Sequence, residues 1–229
     1  MVNSAPDRAD VLRQRICTAA STLFIRRGFG ATTMQDIANA LAISRPKLYY
    51  YFKDKGRILE TLVSNVPVEA HRRAQAVLST KNLDSAEKLR GLIVQHADLI
   101  LARPLEFRLL DMSLDHLPKP MQARAHKAKR GLLEVFTRVI REGVEEGAFR
   151  QTDPRVAAFA MIGMCNWTAA WYQSGGRLNA QEICAVLADL GVSSLAKGVQ
   201  RRRQVNGVQT SLRMLRKGVA NLEAALQHR

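Results

Sequence analysis

Apolar residues recur every three or four positions through most of the chain, which is the period of amphipathic helices. In the first such segment, at about 10–27, Ile16, Ala20 and Phe24 share one face. The alternating runs of β-branched and aromatic residues that are typical of strands do not occur. The pattern therefore predicts an all-α protein.

Capping residues and prolines set the boundaries of the predicted helices. Thr32 or Thr33 is placed to cap one short helix and Ser44 the next, because a hydroxyl there accepts from the free amides of the first turn. A fourth helix is expected to begin near Asp54 and to continue past a kink at Pro67. Further helices are predicted at 84–102, 104–116, 119–146, 154–174 and 179–198.

The C-terminal segment has a different apolar period. From Val205 to Leu226 its apolar residues alternate spacings of three and four, the heptad pattern of coiled coils. It is compatible with a terminal helix packed on the body and with packing against a partner chain. We therefore expect three units: an N-terminal domain at 1–57, a helical body at 58–200 and a basic amphipathic helix at 201–229.

Charge points to a polyanionic partner. The 229 residues include 35 Lys+Arg and 20 Asp+Glu, for a formal charge of +15. Residues 1–57 and 201–229 each carry +6, whereas the long segment between them carries +3. Such basic ends favour nucleic acid as partner first, and an anionic membrane surface, contacted by the C-terminal segment, as a distant alternative.

Several other classes of protein are disfavoured. The chain has no GxSxG, HExxH, P-loop or Gly-rich dinucleotide motif, so we expect neither an enzyme nor a cofactor. Cys17, Cys165 and Cys184 are far apart, which argues against disulfides and a zinc site. No apolar run is long enough for a bilayer span and the N-terminus lacks a secretory signal, so a cytoplasmic location is expected.

Residues 33–55, TMQDIANALAISRPKLYYYFKDK, carry the most specific pattern. Two short helices are predicted on either side of a tight turn at 41–43, which is the helix-turn-helix arrangement that places a second helix in the major groove of DNA. This segment resembles the DNA-binding signature of the TetR family of transcriptional regulators. The matching residues are Thr32, Thr33, Ile37, Ala38, Ser44, Leu48, Tyr49, Tyr51, Phe52 and Lys55.

One position departs from that signature. Ala42 stands in the turn where the family usually has Gly, so we expect mild strain from a left-handed backbone there.

The resemblance implies which residues contact DNA. Thr33 and Gln35 open the first helix of the motif and are candidates for phosphate or base-edge contacts. The second helix follows Ser44, and its exposed side chains would read base edges, with phosphate anchors beside them. The base-edge candidates are Arg45, Pro46, Lys47 and Tyr50, and the phosphate candidates are Tyr49, Lys53 and Lys55. Ser44, at the start of this helix, is also among the expected DNA-binding residues.

The resemblance also implies a homodimer that binds a palindromic operator. The helices at 154–174 and 179–198 would then form a four-helix interface with those of a second copy. The residues predicted at this interface are Phe159, Gly163, Trp167, Trp171, Ile183, Leu187 and Leu190.

A second, looser resemblance concerns the effector. The stretch NWTAAWYQSGGRLNAQEI is similar to TetR-type regulators that respond to acyl-CoA thioesters. The expected function is a repressor that an acyl-CoA or another catabolic intermediate releases from its operator by moving the helix at 54–78. An alternative is an efflux regulator that responds to an apolar, drug-like compound. The candidate pocket residues are His96, Arg103, Phe107, Leu110, Met112, Phe136 and Met164.

Overall fold

The computed structural model describes residues 8–197 of the chain, and the predicted helix at 201–229 lies outside this range. The described part is helical and contains no strand beyond an isolated bridge between Phe149 and Ala196. The all-α prediction is thus confirmed. The helices are α1 (Arg8–Arg27), α2 (Met34–Ala40), α3 (Arg45–Tyr51), α4 (Lys55–Val63), α5 (Val66–Ser79), α6 (Ser85–Ala102), α7 (Pro104–Ser113), α8 (Lys119–Glu145), α9 (Pro154–Trp171) and α10 (Ala180–Leu195), with a 3₁₀ turn at Leu114–His116.

The first four helices supply most of a separate apolar core, which we call the head core. Phe24 of α1, Ile37 of α2 and Leu48 of α3 are buried in it. Ile58 and Leu59 of α4 are also fully buried, so α4 closes the unit that α1–α3 begin. Buried residues of this core extend along the chain to Val66, beyond the predicted domain boundary at 57. That boundary remains a prediction.

The helix predicted to kink at Pro67 is instead two helices. The first, α4, ends at Val63, and Asn65 precedes the first turn of α5, where Pro67 is placed. A proline lacks the amide that an interior helical position needs, whereas the first turn does not use it. Pro67 therefore starts a new helix.

The larger core of the molecule is built around α6. This helix packs against α10, α9, α5 and α8, with Leu89, Ile93 and Ile100 buried inside. Phe136 of α8 and Phe149 after it are also fully buried. The three cysteines are free and buried, as expected for small apolar residues of a reduced protein.

Helix α7 contributes to both cores. Leu109 and Leu110 of α7 are buried in the head core, and α7 also packs against α9. Phe107, one turn earlier on α7, contacts both cores. This helix therefore connects the N-terminal unit directly to the body.

None of the helices in residues 8–197 is long and apolar enough to cross a membrane.

Candidate nucleic-acid interface and internal cavity

The first helix of the motif begins with a capping box. The Thr33 hydroxyl oxygen accepts from the Asp36 amide at 3.1 Å, and the Asp36 carboxylate accepts from the Thr33 amide at 2.8 Å. Each group satisfies a backbone donor that the helix leaves free. Gln35 is exposed beside them, and its side-chain amide donates to the Asn39 side chain at 2.6 Å. The entrance of α2 is thus fixed while Gln35 stays at the surface.

The turn between α2 and α3 contains the left-handed residue that the sequence predicts. Ala42 has φ of +52°, and its amide donates to the Asn39 carbonyl. The amides of Leu41 and Ile43 both donate to the Ala38 carbonyl, at 3.2 and 3.1 Å. These bonds close a compact turn without glycine, so the departure from the family pattern leaves the turn intact.

The second helix presents nearly all its side chains to solvent. Ser44 caps α3 by accepting from the Lys47 amide, and Pro46 lies in the first turn. Among the residues of α3 only Leu48 is buried, which anchors the helix to the head core. The side chains that remain exposed include the predicted base-edge candidates Arg45, Pro46, Lys47 and Tyr50, and also Tyr49.

The aromatic side chains of α3 are held in place by neighbours. The Arg45 guanidinium lies 5.8 Å from the Tyr49 ring centre, a cation–π distance. The Tyr50 ring meets the Tyr51 ring edge-on at 5.2 Å, yet Tyr50 remains 84% exposed. Tyr50 therefore presents its hydroxyl to solvent, where it can donate or accept a hydrogen bond.

The structure corrects the role predicted for Lys55. Its ammonium donates to the carbonyls of Phe29, Gly30 and Thr32 at 2.8, 3.0 and 2.8 Å. It also lies 4.7 Å from the centre of the Phe29 ring. An ammonium has three protons, and all three are used inside the protein. Lys55 therefore ties α4 to the loop before α2, and exposed Lys53 is the lysine left for a phosphate.

A cavity of about 400 Å³ opens in the body between α5–α9. Apolar side chains, among them the predicted Phe107 and Leu110, form most of its wall, together with Leu132, Leu133 and Ile162. Its size and mixed lining are those of a small-molecule site. No cluster of His, Cys, Asp and Glu suited to a metal ion exists in residues 8–197.

His96 is the buried polar residue of this wall. It is 5% exposed, and its Nε2 lies 3.0 Å from the Asn166 Oδ1 on α9. Burial lowers the pKa of His96 to about 4, an effect that the bond to Asn166 only partly offsets. The ring is therefore neutral at physiological pH. Its Nδ1 has no hydrogen-bond partner within the described part of the chain.

Basic side chains surround the exposed end of the cavity, and the sequence does not single them out. We call this set the basic rim: His126, Lys129, Arg130 and Arg155. Lys129 pairs with Asp111 of α7 at 2.8 Å, and Arg155 is 3.8 Å from Glu134. Arg130 takes part in no ion pair among residues 8–197. In sequence these side chains look like ordinary solvent-facing charges of a helix.

Four predicted pocket residues do not line the cavity. Met112 is 54% exposed on the outer side of α7, and Arg103 is exposed between α6 and α7. Phe136 is fully buried behind His96, with ring centres 6.3 Å apart. Met164 packs on the body core near Gly191 of α10. Only His96, Phe107 and Leu110 of the predicted set face the cavity.

An apolar face on α9 and α10 is exposed to solvent in the single chain. Trp167 is 70% exposed, and the same face carries Val156, Phe159, Trp171, Val186 and Leu190. Gly163 is exposed among them. Ile183 and Leu187, which were predicted to contact a partner, are instead buried in the chain's own core, because they lie on the side of α10 that packs on α6.

Two family models match the chain. Residues 16–62 match the model described as bacterial regulatory proteins of the tetR family, and residues 82–195 match a tetracyclin repressor-like C-terminal domain. Together they cover the helix-turn-helix and most of the body.

Individual relatives agree with these models. The repressor KstR2 of Mycolicibacterium smegmatis is 26% identical over 192 residues, which is 80% of this chain and 90% of KstR2. The structure of KstR2 from Mycobacterium tuberculosis superimposes with a TM-score of 0.73 at 22% identity, covering 86% of this chain and 98% of that one. The structure of AibR, solved with isovaleryl coenzyme A and operator DNA, superimposes with a TM-score of 0.61 at 22% identity, covering 78% of this chain and 96% of that one.

Proposed function

The chain belongs to the TetR family of bacterial regulatory proteins, and we propose that it is a homodimeric repressor that a partly apolar anion releases from a palindromic operator. Members of this family are DNA-binding regulators and not enzymes. The proposal rests on the exposed face of α3, which presents cationic and phenolic side chains to solvent while Leu48 is buried in the head core.

DNA recognition is proposed to rest on Arg45, Lys47 and Tyr50 for base edges, with Pro46 for apolar contact and Tyr49 and Lys53 for phosphates. Thr33 and Gln35, at the start of α2, are proposed to contact the adjacent backbone. Ser44 acts mainly through its cap, because its oxygen accepts from the Lys47 amide.

Arg45 offers the most direct test of this interface. A gel shift against the DNA upstream of the protein's own gene should show affinity reduced by about 5-fold to 150-fold in Arg45→Ala, if Arg45 makes a bidentate base contact. Arg141→Ala removes the same charge from an exposed site on α8 and should leave binding unchanged. Equal affinities for the two variants would refute the role of α3.

The proposed dimer uses the exposed apolar face of α9 and α10, with Trp167 at its centre and Phe159, Gly163, Trp171 and Leu190 around it. Exposed apolar patches of this kind mark association surfaces. Trp167→Glu should give a monomer by light scattering and abolish cooperative operator binding. Met112→Glu, a charge placed on an exposed apolar residue outside this face, should remain dimeric. A dimeric Trp167→Glu protein would contradict the assignment.

The effector is proposed to be an acyl-CoA thioester or a related anion. An apolar wall suits the acyl chain, and the basic rim suits phosphates at the cavity's exposed end. The fold neighbour AibR was solved with isovaleryl coenzyme A. A neutral drug-like ligand, the alternative effector, makes no use of the rim.

These two effector classes can be separated with a matched pair of ligands. Octanoyl-CoA should release the operator at lower concentration than S-octanoyl-pantetheine, which has the same acyl chain and lacks the phosphates together with the adenosine that they carry. Arg130→Ala should reduce this preference, because it removes a rim charge that has no carboxylate partner within the described residues. Equal potency of the two ligands in the unmodified protein would favour the neutral class.

Release is proposed to pass through α7. Leu110 of this helix is buried in the head core and also lines the cavity. A ligand that displaces α7 therefore disturbs the packing under the DNA-reading helices. Because the coupling is reciprocal, operator DNA must weaken effector binding by the same factor.

A further inference from the structure

The Nδ1 atom of His96 is a buried polar atom that the protein itself does not satisfy. It lies in a residue that lines the cavity, and no donor or acceptor in the described part of the chain bonds to it. Buried polar atoms are nearly always paired, so an unpaired one in a ligand cavity indicates a missing partner. The rings of Phe107 and Phe136, at 6.1 and 6.3 Å between centres, offer it no hydrogen bond.

The other ring nitrogen determines what that partner must be. Nε2 lies 3.0 Å from the side-chain oxygen of Asn166, which only accepts, so Nε2 carries the proton of the neutral ring. Nδ1 then has a lone pair and no hydrogen. It can accept a hydrogen bond and cannot donate one.

His96 lies in the wall of the cavity, deeper than the basic rim. His96 is buried, whereas the four basic rim residues are solvent-exposed. A ligand whose anionic group meets the rim therefore presents its apolar portion to His96.

We propose that the cavity selects an amphipathic anion that carries a hydroxyl group on its apolar portion, with His96 Nδ1 accepting from that hydroxyl. The proposal rests on the proposed function, since it concerns the effector of the same cavity. His96 is then the residue that discriminates a hydroxylated ligand from its ketone, because a ketone oxygen brings a lone pair against the Nδ1 lone pair.

Calorimetric titration of the full-length protein tests this with octanoyl-CoA and its 3-, 5- and 7-hydroxy and 3-, 5- and 7-oxo derivatives. At least one hydroxy isomer should bind about tenfold more tightly than octanoyl-CoA, the gain of one net hydrogen bond. The oxo derivative of the same position should bind no more tightly than octanoyl-CoA.

His96→Phe is the matched variant, because it keeps a flat ring among apolar neighbours and removes the acceptor. It should lose the preference for the hydroxy isomer over octanoyl-CoA, and the comparison in the unmodified protein decides the matter even if this variant does not fold. Equal binding of all derivatives would overturn the inference and leave the proposed function standing, since the donor would then be the pantetheine amide that they share. If none of the thioesters binds, the proposed effector class is wrong and the inference falls with it.

Discussion

Lys55→Met is predicted to destabilise the N-terminal unit rather than to remove a phosphate contact. The ammonium of Lys55 donates to three carbonyls at 2.8–3.0 Å, and methionine keeps the length of the side chain without the charge or the protons. Hydrogen bonds to a charged group each contribute about 1.5–3 kcal/mol, but the three share one donor and the Gly30 carbonyl is exposed. We therefore expect the free energy of unfolding to fall by about 2–4 kcal/mol.

Lys53→Met is the control for this prediction, because Lys53 is exposed two residues away. Its free energy of unfolding should change by less than about 0.5 kcal/mol. Its operator affinity should instead become less dependent on salt, with the slope of log K against log salt reduced by about 0.9 for each phosphate that the protein no longer neutralises. Urea denaturation and a salt titration of binding, run on both variants, measure the two effects separately.

The opposite outcome would refute the reasoning. If Lys55→Met kept its stability and reduced the salt slope by about 0.9, the ammonium would be a phosphate anchor in solution. The carbonyls of Phe29, Gly30 and Thr32 would then need other donors, and the connection between α4 and the loop before α2 would not depend on Lys55.

Three further predictions concern stability. Ala42→Gly should raise the free energy of unfolding by about 0.5–1 kcal/mol in urea, since glycine accommodates φ of +52° without strain; a decrease would show that the turn is unstrained. Gly143→Ala should cost about 1–3 kcal/mol in the same assay, because the new methyl would overlap the Phe149 ring, and no change would mean that the ring moves freely. Burial holds the pKa of His96 at about 4 in the folded protein, below its usual 6.5. Between pH 6.5 and pH 4 the unfolded chain therefore binds a proton that the folded protein does not, so the free energy of unfolding falls by roughly 3 kcal/mol over this interval. His96→Phe should remove this part of the pH dependence of unfolding.

Helix boundaries were predictable because their causes are local. Thr33 and Ser44 cap the helices that the sequence assigns to them, and Ala42 has the left-handed backbone expected in the turn. The break before Pro67 was not predictable, since a proline is compatible both with a kink inside a helix and with the first turn of a new one. Packing of α4 on the head core and of α5 on the body decides between the two.

The cavity was only partly predictable because its lining depends on tertiary packing. Phe107 and Leu110 face it, but the equally apolar Phe136 does not, and their sequence patterns do not distinguish them. The same holds for the rim, where Lys129 of α8 meets Asp111 of α7 only after the helices pack. Lys55 shows the limit of a motif, because a position that matches the signature is held by main-chain carbonyls, which a pattern of residue types does not describe.

The shared position of α7 is sufficient to account for a switch of the size this class of regulator needs. Allosteric coupling of 1–3 kcal/mol corresponds to a change in affinity of about 5-fold to 150-fold. Burial of one leucine side chain contributes about 1.5–3 kcal/mol, and Leu110 is buried in the head core while it lines the cavity. A ligand that withdraws this one side chain from the head core therefore changes the packing energy by the whole amount required. No long-range pathway is needed, because the proposed effector cavity and the head core share this helix.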